Sequence, residues 1–255
     1  MIGIISAMEE EIQTLLHHLE RKRSIQKGMR TYFYGRLFDK EIVLAFSRWG
    51  KVASATTITQ LINDFEIDEI IFTGVAGSVD KNINIGDIVI GKNMYQYDMN
   101  AWPLIEPLEI PLLNRTSFES NAHNRKVLHE AAQQFLTNFS KHLKFEEAEK
   151  FNIYHPKVFV EDIASGDQFI STKKQIETIK NVIPGIGCVE MEGAAVAQVC
   201  YEYQIPFSIF RTISDKANDN AHIEFQKFAK EVASKYALEI LRNYFELKPN
   251  RFSNA

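Results

Sequence analysis

The chain reads as an α/β protein, with a mixed, largely parallel sheet covered by helices. Three observations predict it. Short β-branched runs alternate with segments of helical period along the 255 residues. No repeat, low-complexity tract or linker breaks that alternation. The composition, 45% apolar and 24% charged with 12 Gly and 7 Pro, is that of an ordinary globular chain. A single domain over residues 1–255 is the economical expectation.

Ile2 to Ile5 predicts a first strand, and Met8, Ile12, Leu15, Leu16 and Leu19, spaced by three and four, predict an amphipathic helix after it. Arg30 to Phe38 and Glu41 to Phe46 alternate as a hairpin does. Lys51 to Phe65 has helical period, Glu69 to Phe72 is a strand running into TGVAGS, and Ile85 to Tyr95 is another strand. From about 97 to 118 the pattern lapses, with three prolines in nine residues among large apolar groups, which predicts a long functional loop. Helix resumes from Asn124 to about Leu143, and KFEEAEKFNIYH reads as a charged connector. Then come strand Lys157 to Ala164, helix Thr172 to Lys180, strand Gly187 to Val189, helix Gly193 to Tyr203, strand Phe207 to Ile213 and a last helix, Glu224 to Phe245.

Charge and cysteine usage exclude several classes of function. Twenty-nine Lys and Arg against 33 Asp and Glu leave −4 without a run of five like charges, so neither nucleic acid nor membrane is expected as a partner. A small molecule is. Cys188 and Cys200, in apolar surroundings with eleven residues between them, form neither a metal pair nor a disulfide framework and suit a reducing cytosol. The N-terminus lacks a basic n-region, and nothing approaches the ~18 apolar residues of a membrane span. The chain is therefore expected to be cytoplasmic and complete. No metal is expected, since the seven histidines never take ligand spacing. Dinucleotide, P-loop, nucleophile-elbow and H-E-x-x-H signatures are missing as well.

In α/β folds, ligands sit beyond the carboxyl ends of strands, and four predicted strands end in unusual chemistry. Glu9, Glu10 and Glu11 open a helix, where the macrodipole favours carboxylates; Glu11 alone lies beside the apolar stripe, placed to turn into a crevice. Glu190 and Glu192, two apart at a strand end, would share a face there, or one of them simply starts the Gly193 helix. Asp215 follows FSIFRTIS, where the plain reading is an N-cap or Asx-turn residue. Carboxylates converging on one crevice without metal-binding histidines suit a cationic transition state: one acid protonates a leaving group while another carboxylate activates water. Glycosidic cleavage is that chemistry. A third carboxylate is a natural bidentate acceptor for sugar hydroxyls.

IGIISAMEEEI, FTGVAGSVD with INIGDIVI, SGDQFI, VEMEGAAVAQVC and FRTISDKAND, in this order, resemble the 5'-methylthioadenosine/S-adenosylhomocysteine nucleosidases of the purine nucleoside phosphorylase superfamily, from residue 2 to about residue 240. The resemblance implies a nucleoside phosphorylase-like, three-layer α/β/α fold around a mixed, mostly parallel central sheet, a homodimer, and hydrolysis of the N-glycosidic bond of an adenine nucleoside without a cofactor. It makes Glu11 the base that activates water and Asp215 the acid toward N7 of adenine. Glu192 would hold the ribose 2'- and 3'-hydroxyls, Met191 would pack on the sugar, Phe169 would stack on the base and Ile170 would offer its backbone to the purine edge. Ala76, Gly77, Arg211, Ser214, Met8, Trp49 and Phe225 would complete the substrate-binding wall.

Phe169 and Met191 taken alone read as core residues, and Arg211 equally as an ion-pair partner for Glu11 or Glu192. On chemical grounds Asp215 must hold a proton near neutrality, which burial promotes, and Glu11 must stay charged. Val75 stands where some members of the family have a serine, and Arg48-Trp49 where many have Gly-Ile, which changes the wall around the nucleoside 5' group. The alternatives are a phosphorylase of the same superfamily, a nucleosidase for aminodeoxyfutalosine or 5'-deoxyadenosine, and a nucleoside-binding protein without catalysis. The loop at 97–118, with Trp102, Leu104, Ile105, Leu108, Ile110, Leu112 and Leu113, is expected in the dimer interface.

Overall fold

Alternate residues of the first strand already need two different partners. Ile4 and Ile5 point to opposite faces of β1 (Ile2–Ser6) and both are fully buried, so helices must cover both sides. In the computed structural model, which describes residues 1–217, 225 and 227–248, they do. Ile4 packs with α1 (Glu9–His18), α3 (Ala122–Thr137) and the C-terminal α8 (Ser234–Leu247), which follows a π-helical turn at Ala229–Ala233. Ile5 packs with α2 (Lys51–Asp64) and α7 (Gly193–Glu202).

Between these layers runs one eleven-stranded sheet. Its remaining strands are β2 (Glu20–Lys27), β3 (Arg30–Leu37), β4 (Lys40–Phe46), β5 (Glu69–Phe72), β6 (Val75–Ser78), β7 (Ile88–Gln96), β8 (Phe118–Glu119), β9 (Val158–Ser165), β10 (Ile186–Glu190) and β11 (Phe207–Asp215). The order is β2-β3-β4-β1-β5-β11-β6-β10-β9-β7-β8, with β11 also pairing β7. Strand β11 changes neighbours along its length: Phe207–Ile209 run parallel to β5, Phe210–Thr212 antiparallel to β7, and Thr212–Asp215 parallel to β6. That switch closes β11, β6, β10, β9 and β7 into a ring beside the open half of the sheet. The carboxyl ends of β1, β4, β5, β9, β10 and β11 open onto one crevice there.

Several elements differ from the sequence expectation. ERKRSIQK forms β2, an edge strand paired with β3; its run of exposed charged and polar residues hides the alternation by which strands are recognised and protects the edge from pairing with other chains. TGVAGS contains a whole strand, β6, and the charged connector contains helix α5 (Phe145–Lys150), which places Ala148 in the core. The expected helix to Leu143 breaks at Asn138 and resumes as α4 (Phe139–His142), while α6 (Lys173–Val182) forms as expected. Glu224, the expected start of the last helix, and Asn218-Asp219 of the fifth motif lie outside the described residues. The loop at 97–118 corrects the interface expectation in part, because Leu108 and Ile110 are buried within this chain's own core and cannot meet a partner. Trp102, Leu104 and Leu112 are exposed, Leu112 almost completely, at 95%.

Candidate active site

The crevice is a cavity of about 320 Å³, and every site residue expected from the sequence lines it: Glu11, Asp215, Glu192, Met191, Phe169, Ile170, Ala76, Gly77, Arg211, Ser214, Met8, Trp49 and Phe225. Glu11 enters from the first turn of α1. As the third helical residue it reaches back to accept the Met8 N–H at 3.0 Å, which satisfies a donor that the helix itself leaves open. The Ser6 hydroxyl donates to the same oxygen, and the Val75 N–H donates to the other at 2.9 Å. Burial pushes the Glu11 carboxyl above its ordinary range, opposed by Ser6, the Arg211 charge and the two backbone N–H groups. The expectation of a fixed negative charge at Glu11 therefore meets a desolvation cost that its three donors only oppose. Gly74 permits this approach: its φ is +153°, and a Cβ there would lie 2.9 Å from Glu11 Oε1.

Asp215 ends β11. Its Oδ1 accepts the Ala217 N–H at 2.7 Å, an Asx-type bond, and its Oδ2 accepts the Ser214 hydroxyl at 2.7 Å. The plain turn reading and the functional reading thus describe the same residue. Burial raises the Asp215 carboxyl, with these two bonds opposing it. The Ser214 hydroxyl has a second acceptor in the Ala76 carbonyl at 3.4 Å.

Glu190 and Glu192, indistinguishable by pattern, separate in the structure. Glu190 is the partner of Arg211, at 2.7 Å, and this corrects the expectation that Arg211 pairs with Glu11 or Glu192. Glu190 also accepts the Ser165 hydroxyl and the Glu192 and Gly193 N–H groups, so its oxygens are committed to protein partners. Arg211 is 1% exposed, stacks 4.0 Å from the Phe72 ring centroid, and leaves its Nε without a partner among the described residues. Glu192 stands at the N-cap position of α7 and, among the described residues, its side chain accepts only the Gly50 N–H, at 2.7 Å. Burial, with the Glu190 and Glu11 charges adding to it, pushes the Glu192 carboxyl up to about 8.

The rim is aromatic. Phe225 lies 6.0 Å from both the Trp49 and the Phe169 ring centroids, and Phe169 is 43% exposed, so it is not the core residue its type alone implies. Behind Phe169 is a circuit that sequence reading missed. Lys51 donates its backbone N–H to Asp167 at 2.8 Å and its ammonium to Asp98 at 2.6 Å and to Gln96 at 3.2 Å. Asp98 in turn accepts the Asp167 N–H at 2.9 Å. Gly50, at φ +93°, fits because a Cβ would come within 2.9 Å of Asp167. A Lys on a helix N-terminus and two lone aspartates in loops carry no spacing signal that joins them.

A helix-covered mixed sheet that gathers proton-poised carboxylates, an aromatic rim and a single neutralised arginine at its strand ends defines a nucleoside phosphorylase-like protein with a site for a small, largely apolar ligand. The sequence pattern of the phosphorylase superfamily matches residues 1–246, and the chain belongs to that family. It is 36% identical over 234 residues, 91% of this chain and 94% of the relative, to a 5'-methylthioadenosine/S-adenosylhomocysteine nucleosidase of Staphylococcus aureus. Its fold superposes with a TM-score of 0.84, at 30% identity over 98% of this chain and 97% of the other, on the S-adenosylhomocysteine nucleosidase of Streptococcus pyogenes in complex with 5-methylthiotubericidin. The futalosine hydrolase of Helicobacter pylori gives 0.81, at 29% identity over 96% and 97%. Among the described residues no cluster of metal-ligating side chains occurs, and no helix is long and apolar enough to cross a membrane.

Proposed function

We propose that this protein hydrolyses the N-glycosidic bond of 5'-methylthioadenosine, S-adenosylhomocysteine or a related 5'-substituted adenosine, releasing adenine and the 5-substituted ribose. The observation that carries the reading is the convergence of Glu11, Glu192 and Asp215 on one cavity, each with its carboxyl raised by burial. Asp215 delivers a proton to N7 as the C1'–N9 bond breaks and its electrons pass into the purine. Ser214 supports that step, since its hydroxyl can turn to Ala76 when Asp215 is protonated. Water adds to C1' and gives its proton to Glu11, which a raised carboxyl accepts readily; Glu11 also stabilises the oxocarbenium through space. Glu192 has one oxygen free of protein donors and accepts the ribose hydroxyls. Met191 packs on the sugar, Phe169 stacks on the base, and the Ile170 backbone meets the purine edge.

Phosphate is a poor nucleophile for this cavity, because Arg211, the one cation in its wall among the described residues, already serves Glu190. A dianion within ~4 Å of ionised Glu11 would cost about 8 kcal/mol at an effective dielectric near 20. Adenine release is therefore expected at equal rates with and without phosphate, yielding free 5-substituted ribose; strict dependence on phosphate would assign the chain to the phosphorylases instead. A second reading, cleavage of a futalosine-type nucleoside, has support from the futalosine hydrolase fold, and a substrate panel separates the two. The protein works as a cytoplasmic homodimer of one domain per chain in this proposal, with the exposed part of the proline-rich loop, Trp102, Leu104 and Leu112, at the interface.

A further inference from the structure

Glu11 and Asp215 each hold the hydroxyl of a serine, and the two serines differ in what else they reach. Ser214, beside Asp215, has the Ala76 carbonyl as a second acceptor at 3.4 Å. Ser6, at the end of β1, is fully buried and stands outside the cavity wall, and among the described residues its hydroxyl meets no acceptor but Glu11 Oε2. Its backbone is fixed independently, since its carbonyl accepts the Ser47 N–H at 2.7 Å and its strand pairs with β4. The hydroxyl therefore serves one carboxylate oxygen.

Counting donors separates the two oxygens of Glu11. A carboxylate oxygen accepts about two hydrogen bonds. Oε2 receives the Ser6 hydroxyl and the Met8 N–H at 3.0 Å, so it is full, whereas among the described residues Oε1 receives only the Val75 N–H, at 2.9 Å. One lone pair of Oε1 is open. A proton arriving at Oε2 would displace one of its two donors, and Ser6 has no second acceptor to turn to, so a buried donor would be orphaned at more cost than an ordinary bond returns. A proton arriving at Oε1 displaces neither.

We infer that Glu11 acts as the base through Oε1 alone, with Ser6 as the positioning residue that withholds Oε2 from the reaction. The inference rests on the nucleosidase reading. As the C1'–N9 bond breaks and its electrons pass to adenine, an O–H bond of water breaks, its proton joins Oε1, and the freed pair forms the bond to C1'. Ser6 and the Met8 N–H keep their acceptor throughout, because Oε2 is a carboxylate oxygen before the transfer and a carbonyl oxygen after it. Donation to the charged form also favours that form, and Ser6 is the largest of the influences that oppose the effect of burial on Glu11. The charged groups that act on Glu11 from other elements are Arg211 of β11, which does not titrate, and Glu192 at the head of α7. Glu190 of β10 is neutralised by Arg211, and β1 and β6 bring the neutral Ser6 and Val75 donors.

The test is the pH profile of single-turnover adenine release from 5'-methylthioadenosine, with the protein in saturating excess, for the wild type, Ser6→Ala and Ser6→Gly. Both substitutions remove the hydroxyl from a backbone held by other bonds, and the bound ribose occupies Glu192, which leaves Glu11 to set the acid limb. Each is expected to move that limb up by about one pH unit, so that the rate on the limb falls about tenfold while the plateau stays within about threefold of the wild type. In a Glu11→Gln background, where the base is already lost, Ser6→Ala should change the rate by less than about twofold. A limb that stays in place, an equal loss at every pH, or a full further loss on top of Glu11→Gln overturns the role of Ser6 and leaves the nucleosidase reading standing. No adenine from the wild type overturns the nucleosidase reading, and this inference with it.

Discussion

Replacing Glu192 with Gln should make the protein more stable and less active, and the size of the first effect should depend on pH. Folding raises this carboxyl from the ordinary 4.5 to about 8, so the folded state favours the protonated form. The sign follows from linkage: stability is fully present below pH 4.5, falls as pH rises through the gap, and stops falling once pH has passed about 8. At about 1.4 kcal/mol per decade of proton activity, the cost reaches about 3 kcal/mol at pH 7 and about 5 kcal/mol above pH 9. A glutamine carries no such cost and still offers a carbonyl to the Gly50 N–H. At roughly 2–4 °C per kcal/mol for a chain of this size, Tm of the variant should exceed the wild type by about 10 °C at pH 8 and match it near pH 4.5. The same substitution should lower kcat/KM at least about tenfold, because the ribose hydroxyls donate best to the carboxyl in its ionised form, a form the amide cannot take. Scanning calorimetry across pH 4.5–9 decides the matter: a Tm difference that does not change with pH, or a destabilised variant at pH 8, refutes the account of Glu192 as a carboxylate held protonated by burial.

Asp215→Asn should lower kcat/KM at least about tenfold and remove the alkaline limb of its pH profile, since the raised Asp215 acid is active below its own titration and lost above it; wild-type turnover would sink the N7-acid role. Glu11→Gln should cost as much in rate while Glu9→Gln is nearly silent on methylthioadenosine, and equal losses would deny Glu11 its special place. Gly74→Ala should lower both Tm and activity, because its Cβ would press on Glu11 and Arg211; crystallography of an unperturbed variant would show the close approach to be unnecessary. Sedimentation should show a dimer at micromolar concentration that Leu104→Glu weakens, and a wild-type monomer would dispose of the loop interface.

How much of this could be read beforehand depended on whether a residue's job is local. Glu11 was legible because an acid beside the apolar stripe of a short helix has only one crevice to enter, and Ile4 and Ile5 announce a sheet covered on both faces. Strand β2 was not legible, because an exposed edge has no buried face to impose alternation. Glu190 and Glu192 share a spacing and a strand end. Only the register of β11, which brings Arg211 under one of them, separates a carboxylate committed to the fold from one open to a ligand. Leu108 and Ile110 look like interface residues because composition cannot say whether a loop folds back on its own core.

The Lys51 circuit has a consequence of its own. The wall carrying Phe169, the amide that holds Glu192 and the first residues of the proline-rich loop come from sequence positions far apart, and hydrogen bonds to one lysine join them. Such a joint is stiff only while all its members are in place. A nucleoside lying between Phe169 and Glu192 would tighten it, and any partner that orders the proline-rich loop would prepare the same pocket from the other side. Whatever displaces Asp98 would bear at once on the wall carrying Phe169 and on the amide at Glu192, because all three meet at Gly50-Lys51.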